Sequence, residues 1–117
     1  MQFTFTDRHK LLNTHTESLA ERRLAYAMKR FEHRVMKIHL TVFDENGPKG
    51  GEDKVCRLMI TLRGADDVII SDIGADIAAC LTRVAQRASY AVSKSIKKAT
   101  KHDRMRPRFF DHEVATA

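Results

Sequence analysis

Two ten-residue stretches, joined by a loop of turn-forming residues, alternate apolar and polar side chains almost without a break. In the first, Val35 to Asp44, Met36, Ile38, Leu40 and Val42 fall on one face and Lys37, His39, Thr41 and Phe43 on the other. In the second, Lys54 to Arg63, Cys56, Leu58, Ile60 and Leu62 oppose Val55, Arg57, Met59, Thr61 and Arg63. A period of two belongs to a half-buried strand and cannot line one side of a helix. The connection between them, Asp44 to Asp53, holds Asn46-Gly47-Pro48 and Gly50-Gly51, which is turn chemistry throughout. The chain is therefore built around an antiparallel pair with one apolar face that something else must cover.

The remaining segments supply further strands and the cover. Gln2-Phe3-Thr4-Phe5-Thr6 alternates with Phe3 and Phe5 together, and Val68 to Asp72 is a last strand, reached through the tight turn Gly64-Ala65-Asp66-Asp67 and ended by Gly74. Between the polar stretch Asp7 to Asn13 and the strand at Val35, Thr14-His15-Thr16-Glu17 matches a capping box. A helix is expected from about His15 to Glu32, with Ala20, Leu24, Ala27, Met28 and Phe31 as its apolar stripe. Asp76 suits the first turn of a second, long helix running to about Lys101, where Ile77, Leu81, Val84, Ala85, Ala88, Val92, Ile96 and Ala99 recur at helical spacing. The order β-α-β-β-β-α predicts an α+β fold: a two-layer sandwich with a four-stranded mixed sheet and two helices on one face. The last three strands should form a meander, and the first should pair in parallel with the second across the helix. The open face would carry His39, Thr41, Phe43, Arg57, Met59 and Thr61.

With 117 residues the chain is expected to hold one folded domain, residues 1–102. Residues 103–117 read as a flexible tail, since Pro107 stops a helix within the basic and aromatic run Arg104 to Phe110. That tail admits two readings, a disordered end or an extended arm whose Phe109-Phe110 pair stacks on a base. No apolar run reaches 18 residues, and the start of the chain lacks a basic segment followed by an apolar one, so neither a membrane span nor a secretory signal is expected. Cys56 and Cys80 both fall in apolar-patterned segments and read as buried thiols of a cytoplasmic protein.

Charge is where the sequence speaks about function. From Thr82 to Arg108 there are nine basic residues and one acid, Asp103, so this part carries +8 while the rest of a chain of net charge +6 carries −2. At about 100° per residue, Arg83, Arg87, Lys94, Lys97, Lys98 and Lys101 lie within an arc of roughly 100°, away from the apolar stripe, with Tyr90 among them. A solvated helix face ordinarily mixes signs, and an unmixed row repels itself unless an anion relieves it. Cations near a helix C-terminus also complement the dipole, but Arg83 and Arg87 come too early for that account. The first helix adds Arg22, Arg23, Lys29 and Arg30, with Arg34 just beyond, interrupted by Glu17, Glu21 and Glu32. Joined side by side, two such helices would grip phosphates by charge and geometry with little reading of bases. No strand carries the exposed aromatic pairs on which RRM domains stack bases.

Other chemistries find no support in the spacing. His9, His15, His33, His39, His102 and His112 form no ligand pair with one another or with a cysteine, so no metal or other cofactor is expected. Gly50-Gly51 is not followed by the Lys-Ser/Thr of a phosphate loop. No nucleophile–base pair and no paired carboxylates stand out, and neither an enzyme activity nor a small-molecule substrate is expected.

The opening strand Met1 to Thr6, the helix closing on Lys29-Arg30-Phe31-Glu32, and Ser71-Asp72-Ile73-Gly74-Ala75-Asp76-Ile77-Ala78-Ala79 leading into a long basic helix together resemble the hibernation-promoting factor and ribosome-associated inhibitor A family. The resemblance covers about residues 1–102. It implies the same β-α-β-β-β-α fold and a non-catalytic protein on the small ribosomal subunit, lodged between head and body where mRNA and tRNA sit. Matched position by position, Arg23, Arg87, Lys94 and Lys98 fall on basic positions of the family pattern. Arg22, Lys29, Arg30, Arg83, Lys97 and Lys101 join them from their faces alone. The chain departs from the pattern at Ile77-Ala78, where many members have a Tyr, at Tyr90, where the family is often basic, and in its long Gly-rich 44–53 loop. It is too short for the ribosome-pairing domain of long members. A general double-stranded RNA-binding domain is the competing expectation, since three strands followed by a helix describe that module too.

Overall fold

A computed structural model describes residues 1–45 and 54–104. Most of the 44–53 connection and the run from Met105 onward, to which the arm or tail readings apply, lie outside the described residues. The elements are β1 (Gln2–Asp7), α1 (Thr14–Met28) with a 3-10 turn at Lys29–Phe31, β2 (Val35–Asp44), β3 (Lys54–Leu62), β4 (Val68–Gly74) and α2 (Ile77–Arg104). The sheet order is β1-β2-β3-β4, with β1 parallel to β2 and the other pairs antiparallel. This is the expected four-stranded mixed sheet with two helices. Helix α2 continues to Arg104, so the expected boundary after residue 102 falls within it.

One core holds the layers together. Leu40, Leu58 and Ile60 from the sheet meet Leu24 and Met28 of α1 and Val84, Ala88 and Val92 of α2, all essentially without solvent contact. Each of these side chains larger than that of Ala88 contributes on the order of 1.5–3 kcal/mol by leaving water. Phe3 and Phe5 pack against this core from β1. No described helix is long and apolar enough to cross a membrane.

Three local departures from the alternation have physical causes. First, Met36 is 48% exposed and Val35 is buried in its place. The register slips between Val35 and Lys37, where β2 pairs with Leu62 and then Thr61, and the extra residue of this bulge reverses which side chain points inward. Second, α1 is capped one residue earlier than the Thr14 box suggests: the Asn13 side-chain carbonyl accepts from the Thr16 amide at 2.8 Å and the Thr16 hydroxyl at 2.9 Å. Third, α1 tightens into the 3-10 turn at Lys29 instead of running to Glu32.

Two glycines and an arginine fix the connections. Gly64 has φ of 72°, a left-handed conformation that costs a side chain strain, and the Arg34 guanidinium donates to the carbonyls of Arg63 at 2.8 Å and Gly64 at 3.4 Å. Arg34 is thus a clamp on the β3–β4 turn. At Gly74 an added Cβ would lie 3.0 Å from the Arg83 guanidinium and 3.1 Å from the Cys80 sulfur, so a bare backbone lets α2 start tight against the end of β4. Asp76 then caps α2, its carboxylate accepting from the Ala78 amide at 3.0 Å.

Candidate nucleic-acid interface

Helices α1 and α2 lie against each other, and their contact sets the candidate surface. On α1, Arg22 and Arg23 are exposed and line an open cleft of about 670 Å³ between the helices, facing Gln86 and Ser89 of α2. Arg30, in the 3-10 turn, donates to the Ser89 hydroxyl at 3.3 Å while its guanidinium covers the Phe31 ring at 4.5 Å. Arg30 thus ties the end of the α1 row to the middle of α2, on the cleft side of that helix. Lys29 is exposed in the same turn.

Along α2 the basic row divides in two. Its first two members reach back to the sheet: Arg83 forms an ion pair with Asp72 of β4, and Arg87 donates to the Ser71 carbonyl at 2.8 Å. Burial disfavours the charged form of Asp72, yet the Arg83 hydrogen bond, the Ile73 amide and the charges of Arg83 and Arg87 outweigh it, holding the carboxyl below the usual range. The same hydrogen bond raises Arg83 further. An uncompensated row was expected, and at Arg83 the structure corrects it: one cation is already answered from within the molecule, though its side chain stays 48% exposed.

The later members have no such partner. Lys94 sits over the ring of Tyr90 at 5.6 Å, and Tyr90 is 68% exposed. Lys97, Lys98 and Lys101 are exposed and form no ion pair among the described residues. With Lys94 they border a hollow of about 620 Å³ that the turn acids Asp66 and Asp67 also line. These two carboxylates lower the potential at that edge without pairing with a lysine. The Ser95 hydroxyl donates to the Asp66 carbonyl at 2.8 Å and fixes the turn against the helix.

One exposed ring was missed from sequence. Tyr26, 85% exposed, lies in the middle of the α1 arc that Arg22, Arg23, Lys29 and Arg30 occupy at about 100° per residue. The wheel that grouped Tyr90 with the α2 cations gives this directly.

The open sheet face offers less. Phe43 is half-buried between the guanidiniums of Arg8 at 5.4 Å and Arg57 at 5.7 Å, so its ring is covered by cations. His39 is not a scattered surface histidine: it is half-buried, with one ring nitrogen bonded to the Thr4 hydroxyl and the other to the Thr6 hydroxyl at 3.1 Å. Cys56 and Cys80 are buried and free. Burial first, then the nearby Cys80 and Asp72, pushes the Cys56 thiol up to about 12. Burial also raises Cys80, against the Arg83 guanidinium 3.3 Å from its sulfur, a basic neighbour not expected from the apolar face alone. Among the described residues no cluster of His, Cys, Asp or Glu is placed to hold a metal.

Comparison with solved structures shows the fold. A ribosomal subunit interface protein from Coxiella burnetii superposes with a TM-score of 0.68 at 14% identity, over 80% of this chain and 96% of that one. The N-terminal domain of Protein Y from Thermus thermophilus gives 0.66 at 16% identity, over 80% of this chain and 98% of the other. No protein-family model and no curated protein matches the sequence.

Proposed function

We propose that this chain is a cytoplasmic ribosome-associated translation inhibitor, a hibernation factor that binds small-subunit rRNA through the exposed cations of α1 and α2 and occludes the mRNA and tRNA sites. The carrying observation is a set of exposed cations on the two helices, Arg22, Arg23 and Lys29 on α1 and its 3-10 turn and Lys94, Lys97, Lys98 and Lys101 on α2, without carboxylate partners among the described residues. Seven unpaired cations on the two helices of a small domain attract a polyanion and position it by its phosphates. Arg30, Arg83 and Arg87 border this surface while tied to Ser89, Asp72 and Ser71, and Tyr90 adds a ring within it. The shared fold with a ribosomal subunit interface protein supports the choice of the ribosome among polyanions. The role is one of occupancy: binding alone excludes competing ligands, and no reaction is involved.

Co-sedimentation with purified small subunits tests the reading. Lys94→Glu, Lys97→Glu and Lys98→Glu together suit it because none of the three is hydrogen-bonded to the sheet. The triple variant should keep its circular dichroism and lose subunit binding, and wild type should inhibit translation of a reporter message in step with its occupancy. Undiminished binding by the triple variant would overturn the proposal. Tighter binding to free RNA duplexes than to assembled subunits would favour a general duplex binder instead.

A further inference from the structure

We infer that the cleft between α1 and α2 receives a single unpaired nucleotide of an RNA strand, its base stacked on Tyr26 and its phosphate held by Arg22 and Arg23. This rests on the proposed function and deepens it by naming what part of the RNA enters the molecule. The cleft, at about 670 Å³, is an open groove and not an enclosed pocket, so one nucleotide of a strand that continues past it can enter from the side. Leu19 and Ala85 give it apolar walls, and Gln86 presents on α2 an amide with no hydrogen bond of its own among the described residues. No carboxylate lines it, and neither Arg22 nor Arg23 forms an ion pair among the described residues, so the charge at its rim is unanswered.

Those features select the occupant. An apolar peptide would leave two guanidiniums without counter-charge, and a bare anion would leave the exposed Tyr26 ring and the apolar walls unused. A nucleotide matches both, with a flat π face for the ring, polar edges for the Gln86 amide and a phosphate for the guanidiniums. A base inside a duplex is already stacked on its neighbours and cannot enter the cleft. Only an unpaired one is free to do so.

The chain has no tryptophan and two tyrosines, so in a Tyr90→Phe background tyrosine emission reports Tyr26 alone. Single-stranded oligoadenylate should quench that emission beyond its effect on free N-acetyltyrosinamide, whereas a duplex of equal length, bound by anisotropy, should not. Arg22→Ala with Arg23→Ala should weaken the quenching interaction about tenfold, in line with losing one nucleotide's contacts. Equal quenching by the duplex, an unquenched Tyr26 with single strand bound, or no binding of the single strand would overturn the inference. Equal quenching by adenosine monophosphate would overturn it in favour of a free-nucleotide site. Co-sedimentation of the same preparation with small subunits reads the proposed function separately: subunit binding with an unquenched Tyr26 removes only the nucleotide site, and loss of subunit binding removes the reading beneath it.

Discussion

From the second turn of α2, Arg83 spans to the Asp72 carboxylate on β4 and at the same time rests 3.3 Å from the buried sulfur of Cys80. The residue that begins the basic row is thus also the one that pins the helix to the sheet. Gly74 makes this possible by leaving the space through which the guanidinium passes. The pair anchors the start of α2, and the free lysines farther along project from a helix whose origin is fixed.

This pairing gives stability a definite pH dependence. The folded-state pKa of Asp72 lies below its ordinary value of about 3.9, so folding favours the charged carboxylate. Its contribution is fully present above that ordinary value and is lost as pH falls through the lowered one. Urea midpoints of wild type and Asp72→Asn should therefore differ at about pH 7 and converge as pH falls below that ordinary value and the carboxylate protonates. A gap that stays constant across this window would show that the ion pair does not supply it.

Helix α1 discriminates between two caps. Asn13→Ala removes the acceptor used by the Thr16 amide and should cost about 1 kcal/mol. Thr14 lies inside the helix and caps nothing, so Thr14→Ala should change stability by less than about 0.5 kcal/mol. Chemical denaturation of the two variants side by side decides between the positions.

The thiols should be silent until the protein opens. Cys56 and Cys80 are both inaccessible, and burial raises both thiols, Cys56 to about 12, so neither presents a thiolate near neutrality. Titration with an aromatic disulfide reagent at about pH 8 should label neither in native protein and both in denaturant. Rapid native labelling of either would mean that α2 lifts from the sheet far more often than its packing implies.

The layer architecture was legible because it rests on long periodic segments: alternation over β2 and β3, and the helical stripe of α2, leave few ways to hide their apolar faces. What stayed hidden were effects of one residue or of residues far apart. The bulge that exchanges Met36 for Val35 depends on how β2 aligns with Leu62 and Thr61, which no local pattern encodes. The competition between Asn13 and Thr14 for the cap is settled by backbone geometry, since both residue types can serve. On the interface, the wheel correctly set the lysines apart from the core. It could not show Asp72, eleven residues before Arg83 and on another element, answering the first cation of the row. Tyr26 was within reach of the same wheel, but the acids scattered along α1 drew weight away from that face.

The division of the basic row makes its own prediction for salt dependence. An unpaired lysine that meets a phosphate releases a counterion, which adds about 0.7–0.9 to the slope of log affinity against log salt. Lys97→Ala should flatten that slope for small subunits by about this amount while leaving the denaturation midpoint unchanged, because Lys97 touches nothing in the fold that needs it. Arg83→Ala should do the reverse. Its guanidinium is already balanced by Asp72, so the slope should move less, whereas the anchoring of α2 to β4 is lost and the protein should unfold at lower denaturant. Equal slopes lost at the two positions would mean that Asp72 releases Arg83 when the RNA arrives, and that the first arginine of α2 is as much a phosphate ligand as the last lysines.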